Sequence, residues 1–193
     1  MLNVDFPKLA ELINKNVADA GAVVNTPEDA KTDTTISVNA DKIYAVVEFL
    51  KTNKEMPFNS LQAVSGVDYV EYMEVCYMMA HFEPGNGRDF ILKAKLTDRV
   101  DPKIDTIVPL YAAADFQERE VYDMFGIKFN NHPDHRRILC PDDWEGFPLR
   151  KDYVAAKYYN GMEVSPENKM NYEDREYSAR QLLIKKAQTE SAQ

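Results

Sequence analysis

The chain of 193 residues suits one domain, or one domain with a tail, and a domain of this size buries about 70% of the surface of its unfolded chain. The net charge of −9 and the pI of about 4.9 argue against a nucleic-acid-binding surface and against binding to anionic lipid by charge alone. No apolar run approaches the roughly 20 residues of a membrane span, and the N-terminus resembles neither a signal peptide nor a transit peptide.

Two amphipathic helices are predicted in the first third of the chain. Apolar residues recur at helical spacing within 5–19, where Asp5 is the candidate cap, and again over about 41–52, where Asp41 is the candidate cap. Short strands are predicted at 22–24 and 35–38.

From Ser60 to Thr97 the hydrophobic period changes to two, which predicts β-strands. The strand that ends near Ala80 is apolar on both faces in its second half, as in a central strand. Glu83–Arg88 contains Pro, Asn and Gly residues and predicts a hairpin loop. The pattern therefore predicts an α+β fold, in which helices pack on one face of a mixed or antiparallel sheet.

A third helix is predicted over about 116–125. Asp115 and Glu118 match a capping box, with Asp115 as N-cap and Glu118 at N3. Arg119 and Asp123 form an i,i+4 pair. Glu118 falls inside the apolar arc, and an unpaired buried charge is very costly. Its carboxylate is therefore expected either to bond back as a capping group or to pair with an arginine.

Beyond the third helix, residues 131–154 are predicted to be extended, and we call them the docking segment. Three prolines each remove a backbone donor and disfavour helix and sheet. The expected apolar anchors are Ile138, Leu139, Trp144, Phe147, Leu149 and Tyr153. The arginines Arg119, Arg136, Arg137 and Arg150 either lock the segment to its own domain, face a neighbouring subunit or contact a substrate directly. The predicted organisation is an α+β domain at 1–130, the docking segment at 131–154 and a partly helical tail at 155–193.

His132, His135 and Cys140 invite interpretation as metal ligands, but no second paired motif completes a tetrahedral site. The histidines are better explained as caps of backbone groups or partners of carboxylates. Three carboxylates in the docking segment are candidates for acid/base work or Mg²⁺ binding: Asp142, Asp143 and Glu145. In an extended segment without a phosphate loop, solvated charge explains them better. The two cysteines predict unpaired thiols in a reducing compartment and cannot alone hold an iron–sulfur cluster, which usually needs four.

The sequence from Glu118 to Leu139 resembles the signature pattern of a known protein family. It reads Glu-Arg-Glu, two residues, Asp, two apolar residues, six residues, His, three residues, Arg, one residue, Ile-Leu. This pattern resembles the signature of the C subunit, or 30-kilodalton subunit, of NADH:quinone oxidoreductase, respiratory complex I. Pro141–Tyr153, Leu61–Tyr69 and Glu74–His81 are also similar to that family, so the likeness covers roughly residues 60–153.

The resemblance implies a non-redox subunit in the peripheral arm of a complex that transfers electrons from NADH to quinone and moves protons or other cations. Such a subunit packs on the D (49-kilodalton) subunit near the quinone site. It holds no cofactor itself, because flavin and iron–sulfur clusters lie in partner subunits. It is peripheral on the cytoplasmic side of a bacterial membrane, or on the matrix side in mitochondria, and meets the membrane only through the complex.

Two other functions remain open. The chain is alternatively a homologous subunit of a membrane-bound hydrogenase or of a complex with another electron donor, or it is a free-standing enzyme that uses the His/Asp/Arg stretch. If the chain is the C subunit of NADH:quinone oxidoreductase, no catalytic site of its own is expected. The positions expected to bind a partner or to lock the structure are Glu118, Arg119, Glu120, Asp123, His132, Asp134, Arg136, Arg137, Asp142, Asp143, Trp144, Arg150, Lys151 and Tyr153.

Overall fold

The computed structural model describes residues 4–27, 33–54, 56–82, 88–156 and 158–163. The helices are α1 (Phe6–Asn16), α2 (Ile43–Thr52) and α3 (Ala114–Phe125). The strands are β1 (Val23–Asn25), β2 (Thr35–Asn39), β3 (Ser60–Asp68), β4 (Met73–His81), β5 (Arg88–Leu96), β6 (Lys103–Asp105), β7 (Lys128–Asn130), β8 (Tyr158–Tyr159) and β9 (Met162–Glu163). One compact unit comprises Met1–Tyr153. The other comprises Val154–Gln193, and its described residues include the small hairpin β8–β9.

A five-stranded sheet with the order β1-β2-β5-β4-β3 is the centre of the first unit. Strands β3, β4 and β5 form an antiparallel meander, and β2 joins it in parallel beside β5. The sheet is therefore mixed, and the α+β prediction is confirmed. Residues 83–87 of the predicted hairpin loop, and the predicted helical part of the tail, lie outside the described residues.

The core lies on one face of this sheet. Val75, Tyr77 and Met79 of β4 have no exposed surface, and buried residues of all three helices belong to the same apolar cluster. The intervening Cys76 is only partly buried and Met78 is 38% exposed. The prediction of a central strand is confirmed, because β4 lies between β5 and β3, but its second apolar face is only partly covered.

Two of the predicted helix boundaries shift. In α1, Asp5 accepts a hydrogen bond from the Lys8 backbone N–H, so this cap is confirmed, but the helix ends at Asn16 because Val17 is extended. A single 3-10 turn, Ala40–Lys42, precedes α2. Asp41 lies inside that turn and does not cap α2, whose N-cap position has no side-chain hydrogen bond.

Strands β6 and β7 form a separate two-stranded parallel sheet. In the sequence, β6 precedes α3 and β7 follows it. Their pairing carries Thr106 and Ile107, which follow β6, to the side of α3. From Asn131 to Ala156 the structure has turns and bends but no helix or strand, as predicted. Within the described parts of the chain, no helix combines the length and the hydropathy that a membrane span requires.

Candidate partner-docking site

Glu118 is buried on the inner face of α3, but it does not form a capping box. Its side chain has no exposed surface and accepts hydrogen bonds from the Thr106 hydroxyl and, at 2.9 Å, from the Ile107 N–H. The helix begins at Ala114, so Asp115 lies in its first turn and is not the N-cap. Burial raises the pKa of Glu118 to about 7, against the opposing effect of its two hydrogen bonds.

The His132 side chain, at the start of the docking segment, has no exposed surface. Its Nδ1 accepts a hydrogen bond from the Asp134 N–H at 3.1 Å, so the proton of the neutral ring is on Nε2. Nε2 then donates to the Asp115 carbonyl at 3.1 Å and lies 3.9 Å from a Glu118 oxygen. The first histidine of the signature therefore joins the docking segment to the first turn of α3.

His135 also binds the backbone. Its Nε2 accepts a hydrogen bond from the Phe129 N–H at 3.0 Å, and its ring packs on Tyr122 with centroids 4.2 Å apart. Burial, and then the neighbouring His132, lower the pKa of His135. The histidines were predicted to cap backbone groups or to pair with carboxylates, and the structure shows both of them bonded to backbone groups. Among the described residues, no three His, Cys, Asp or Glu side chains are grouped so that they could hold a metal ion.

Asp123 is the main anchor of the docking segment. One carboxylate oxygen accepts hydrogen bonds from three consecutive backbone N–H groups, those of Ile138, Leu139 and Cys140, at 3.0, 2.7 and 2.9 Å. The other oxygen binds Arg137 at 2.7 Å. Burial pushes the pKa of Asp123 upward, but these donors together hold it below its usual value. A carboxylate saturated in this way fixes the chain and is poorly placed to act as an acid, base or metal ligand.

The predicted i,i+4 pair between Arg119 and Asp123 is wrong, because both side chains reach into the docking segment instead. Arg119, which is 3% exposed, pairs with Asp134 at 3.0 Å and donates to the Arg136 carbonyl at 3.3 Å. Arg136 pairs with the same Asp134 at 2.9 Å, but its side chain is 68% exposed. Arg119 is therefore an internal lock, whereas Arg136 faces outward.

Near the end of α3 the docking segment is clamped by aromatic and cationic side chains. The guanidinium groups of Arg137 and Arg150 both lie over the Phe147 ring, 5.1 and 4.8 Å from its centroid. Arg150 also donates to the Phe125 carbonyl at 2.5 Å. Gly126 ends α3 with a φ of +73°, and a Cβ there would collide with the Phe147 ring.

A second carboxylate anchor was not identified from the sequence. Asp68, at the end of β3, receives Arg99 as a fork, with Nε at 3.2 Å and a terminal nitrogen at 2.8 Å. It also accepts the backbone N–H groups of Val70 and Lys151, both at 2.8 Å. Arg99 also forms an ion pair with Asp152, with its Nη1 3.0 Å from a carboxylate oxygen. The hydrogen bond from Arg99 is the chief reason that the pKa of Asp68 lies well below its usual range.

The remaining predicted positions lie at the surface of the docking segment or beside it. Trp144 and Tyr153 are half-buried. Leu139 and Leu149 are 60% and 54% exposed, so the prediction that they are apolar anchors is wrong. Their backbone groups are held inside while their side chains point outward. Exposed charged residues are Glu120, Asp142, Asp143, Glu145 and Lys151.

The fold and the site define an α+β domain whose extended segment is fastened by two buried carboxylates and keeps a mixed apolar and charged outer surface. A family model described as respiratory-chain NADH dehydrogenase, 30 Kd subunit, matches residues 36–159, and the chain belongs to this family.

Individual relatives carry related names. A protein of Chloroherpeton thalassium, named as the C subunit of NADH-quinone oxidoreductase, is 39% identical over 140 residues, which are 65% of this chain and 52% of the relative. The chain therefore spans about half the length of that relative. A Phocaeicola vulgatus protein, named as the C/D subunit of NADH-quinone oxidoreductase, is 38% identical over 119 residues, which are 61% of this chain and 22% of that protein. A solved chain from an archaeal respiratory membrane complex, the membrane-bound sulfane sulfur reductase, is similar with a TM-score of 0.59 and 25% identity over 77% of this chain and 85% of that chain.

Proposed function

We propose that this chain is a non-redox subunit in the peripheral arm of a proton-translocating NADH:quinone oxidoreductase, and that it packs on the D (49-kilodalton) subunit near the quinone site. It holds no flavin or iron–sulfur cluster, and it meets the cytoplasmic side of a bacterial membrane through its partners. Family membership supports the choice of complex. The name of the Phocaeicola vulgatus relative, which joins C with D in one protein, supports D as the partner.

The observation that carries this proposal is the two-sided docking segment. Its inner side is fixed by Asp123, Asp68 and Arg119, whereas the side chains of Leu139 and Leu149 remain more than half exposed. A segment that is already ordered before it binds loses little conformational entropy on association, which favours affinity. Exposed apolar and arginine side chains on a rigid support are typical of interface residues.

Capture of partner subunits tests the proposal. A tagged chain, expressed in its own cells, is expected to co-purify with a D-like subunit. Changing Leu139 and Leu149 together to serine should lower the captured amount of the D-like subunit about ten-fold or more. Burial of each leucine side chain at the interface is expected to contribute about 1 kcal/mol or more to the binding free energy, at about 0.8 kcal/mol per CH₂. Circular dichroism of the isolated variant should be unchanged, because the anchoring hydrogen bonds use the backbone of this segment.

A double change of Val23 and Phe82 to serine is the matched control, since both side chains are similarly exposed but lie outside the docking segment. This control should capture the D-like subunit as the wild type does. Failure of the wild-type chain to capture a D-like subunit would contradict the proposal, as would stoichiometric flavin or iron in the isolated chain.

A second candidate is a homologous subunit in a membrane complex with another electron donor, including a membrane-bound hydrogenase. The similarity to a chain of the sulfane sulfur reductase complex favours it. The same purification separates the two functions. NADH-dependent quinone reduction by the captured complex supports the first, and activity with hydrogen or a sulfur substrate, but not with NADH, supports the second.

A further inference from the structure

The turn between β3 and β4, Tyr69–Tyr72, has an unusual backbone, and we call it the hairpin tip. The Tyr69 N–H donates to the Tyr72 carbonyl at 3.0 Å, and Val70 between them has a φ of +73°. Positive φ is a genuine outlier for a β-branched residue, and tight hairpin turns strongly favour Gly, Asn or Asp at such positions. The backbone at Val70 is therefore strained in the folded chain.

The Val70 side chain itself gains little burial within the chain to offset this strain. The Val70 side chain is 61% exposed and Tyr69 is 43% exposed. The base of the tip is nevertheless firm, because the rings of Tyr69 and Tyr72 stack with centroids 4.9 Å apart and the Lys95 ammonium lies 3.8 Å from the Tyr72 ring centroid. The tip thus presents an apolar, β-branched side chain to the outside on a rigid support.

The hairpin tip and the docking segment share one anchor. One oxygen of Asp68 accepts the Val70 N–H, and the other accepts the Lys151 N–H, each at 2.8 Å. Arg99 binds Asp68 and reaches Asp152 as well. The position of the tip is therefore fixed relative to the end of the docking segment, so that both can meet one partner surface.

We propose that the hairpin tip is a second contact with the partner subunit that binds the docking segment, and that the Val70 side chain enters an apolar pocket of that subunit. This inference rests on the proposed function. Glu71, which is the next residue of the turn and is exposed, favours a cationic group at the rim of the pocket. Strain that lowers the stability of the isolated chain would then be retained for the sake of the contact.

The test replaces Val70 with asparagine, which tolerates positive φ, in the full-length tagged chain. Two opposite effects are expected: the melting temperature of the isolated variant rises or stays level, and capture of the D-like subunit falls about ten-fold or more, as loss of one buried valine contact predicts. The matched control is Val23→Asn, which removes a similarly exposed valine from the edge strand β1. It should leave capture unchanged.

Each outcome decides one point. If the wild-type chain captures a D-like subunit and Val70→Asn captures it equally well, the hairpin tip is not a contact, although the proposed function stands. If the wild-type chain captures no such subunit, the proposed function itself fails. A lower melting temperature for Val70→Asn would overturn the inference of strain. Val70→Gly, which also relieves positive φ, should repeat the loss of capture.

Discussion

The apolar core and the docking segment are stabilised by different forces. In the core, side chains such as Tyr77 and Leu92 have no exposed surface, and stability grows with the apolar area removed from water. In the docking segment, Leu139 and Leu149 remain more than half exposed, while backbone N–H groups converge on carboxylates. A segment with no neighbouring strand must find other acceptors for its backbone, and here the folded domain supplies them from its side chains.

This difference predicts two kinds of failure. Loss of a core side chain lowers the stability of the whole first unit, because its helices and sheet share one apolar cluster. Loss of an anchoring carboxylate removes acceptors from a segment that makes few buried apolar contacts. Such a segment opens locally, and its opening is expected at a lower free energy than global unfolding.

The largest expected effect is that of Asp123→Ala. The change leaves Arg137 without its buried partner and three consecutive N–H groups without an acceptor. Removing one side of a buried pair commonly costs about 3–5 kcal/mol. Hydrogen exchange should show lost protection at the amides of residues 138–140, whereas amides of β4 stay protected.

Leu92→Ala is the matched core variant, with an expected cost of about 2–5 kcal/mol from lost burial and a residual cavity. Unlike Asp123→Ala, this variant should lower hydrogen-exchange protection throughout the sheet. If both variants lowered protection uniformly, the docking segment would be part of the same cooperative unit as the core, and the distinction between the two regions would be wrong.

The elements of the core were predictable because their signals are local. The period-two run of β4 and the helical stripes of α1 and α2 can be read within a dozen residues, and the structure bears them out. The burial of Glu118 was equally readable from its place in the apolar arc of α3. Its partners were not, because Thr106 and Ile107 reach α3 only when β6 pairs with β7.

The partners of the residues that anchor the docking segment could not be predicted from neighbouring sequence for the same reason. Arg119 and Asp123 have helical spacing that suits a pair with each other, yet Arg119 pairs with Asp134 and Asp123 pairs with Arg137, both in the docking segment. Asp68 and Arg99 lie on separate elements, and no periodicity connects them. Asp68 does fall within the family-like stretch Leu61–Tyr69, which was the one available indication of its importance.

Glu118→Gln should make the stability of the folded chain depend on pH differently from that of the wild type. The pKa of Glu118 is raised from 4.5 to about 7, so between these values the folded chain holds this proton more tightly than the unfolded chain. The stabilisation due to Glu118 is therefore full below 4.5, decreases as pH rises, and is gone above about 7. Glutamine cannot ionise, so from pH 4.5 to 8 the variant should gain about 3 kcal/mol relative to the wild type.

Urea unfolding at several pH values measures this change. The difference between variant and wild type reports on Glu118 together with its coupling to the neighbouring His132 and Asp115. Glu120→Gln, an exposed position on the same helix, is the control and should run parallel to the wild type. A difference that does not depend on pH would mean that Glu118 is already ionised in the folded chain at pH 5.

The smallest expected effect is that of Asp68→Asn. The amide keeps the shape and one acceptor oxygen, but it loses the charge that binds the Arg99 fork, at a cost of about 1–2 kcal/mol. Hydrogen exchange should increase at the Lys151 amide and change little at the amides of residues 138–140, because Asp123 still holds them.

The pH dependence of Asp68→Asn should run opposite to that of Glu118→Gln. The pKa of Asp68 is held below its ordinary 3.8, so its stabilisation is present above that value and is lost as pH falls through the folded pKa. The cost of the variant in urea unfolding should be constant from pH 7 down to about 4 and shrink below it. The exposed Asp41→Asn serves as the control. An increase in hydrogen exchange at residues 138–140 would show that the two carboxylates hold the docking segment as one lock, whereas unchanged exchange there identifies two independent anchors.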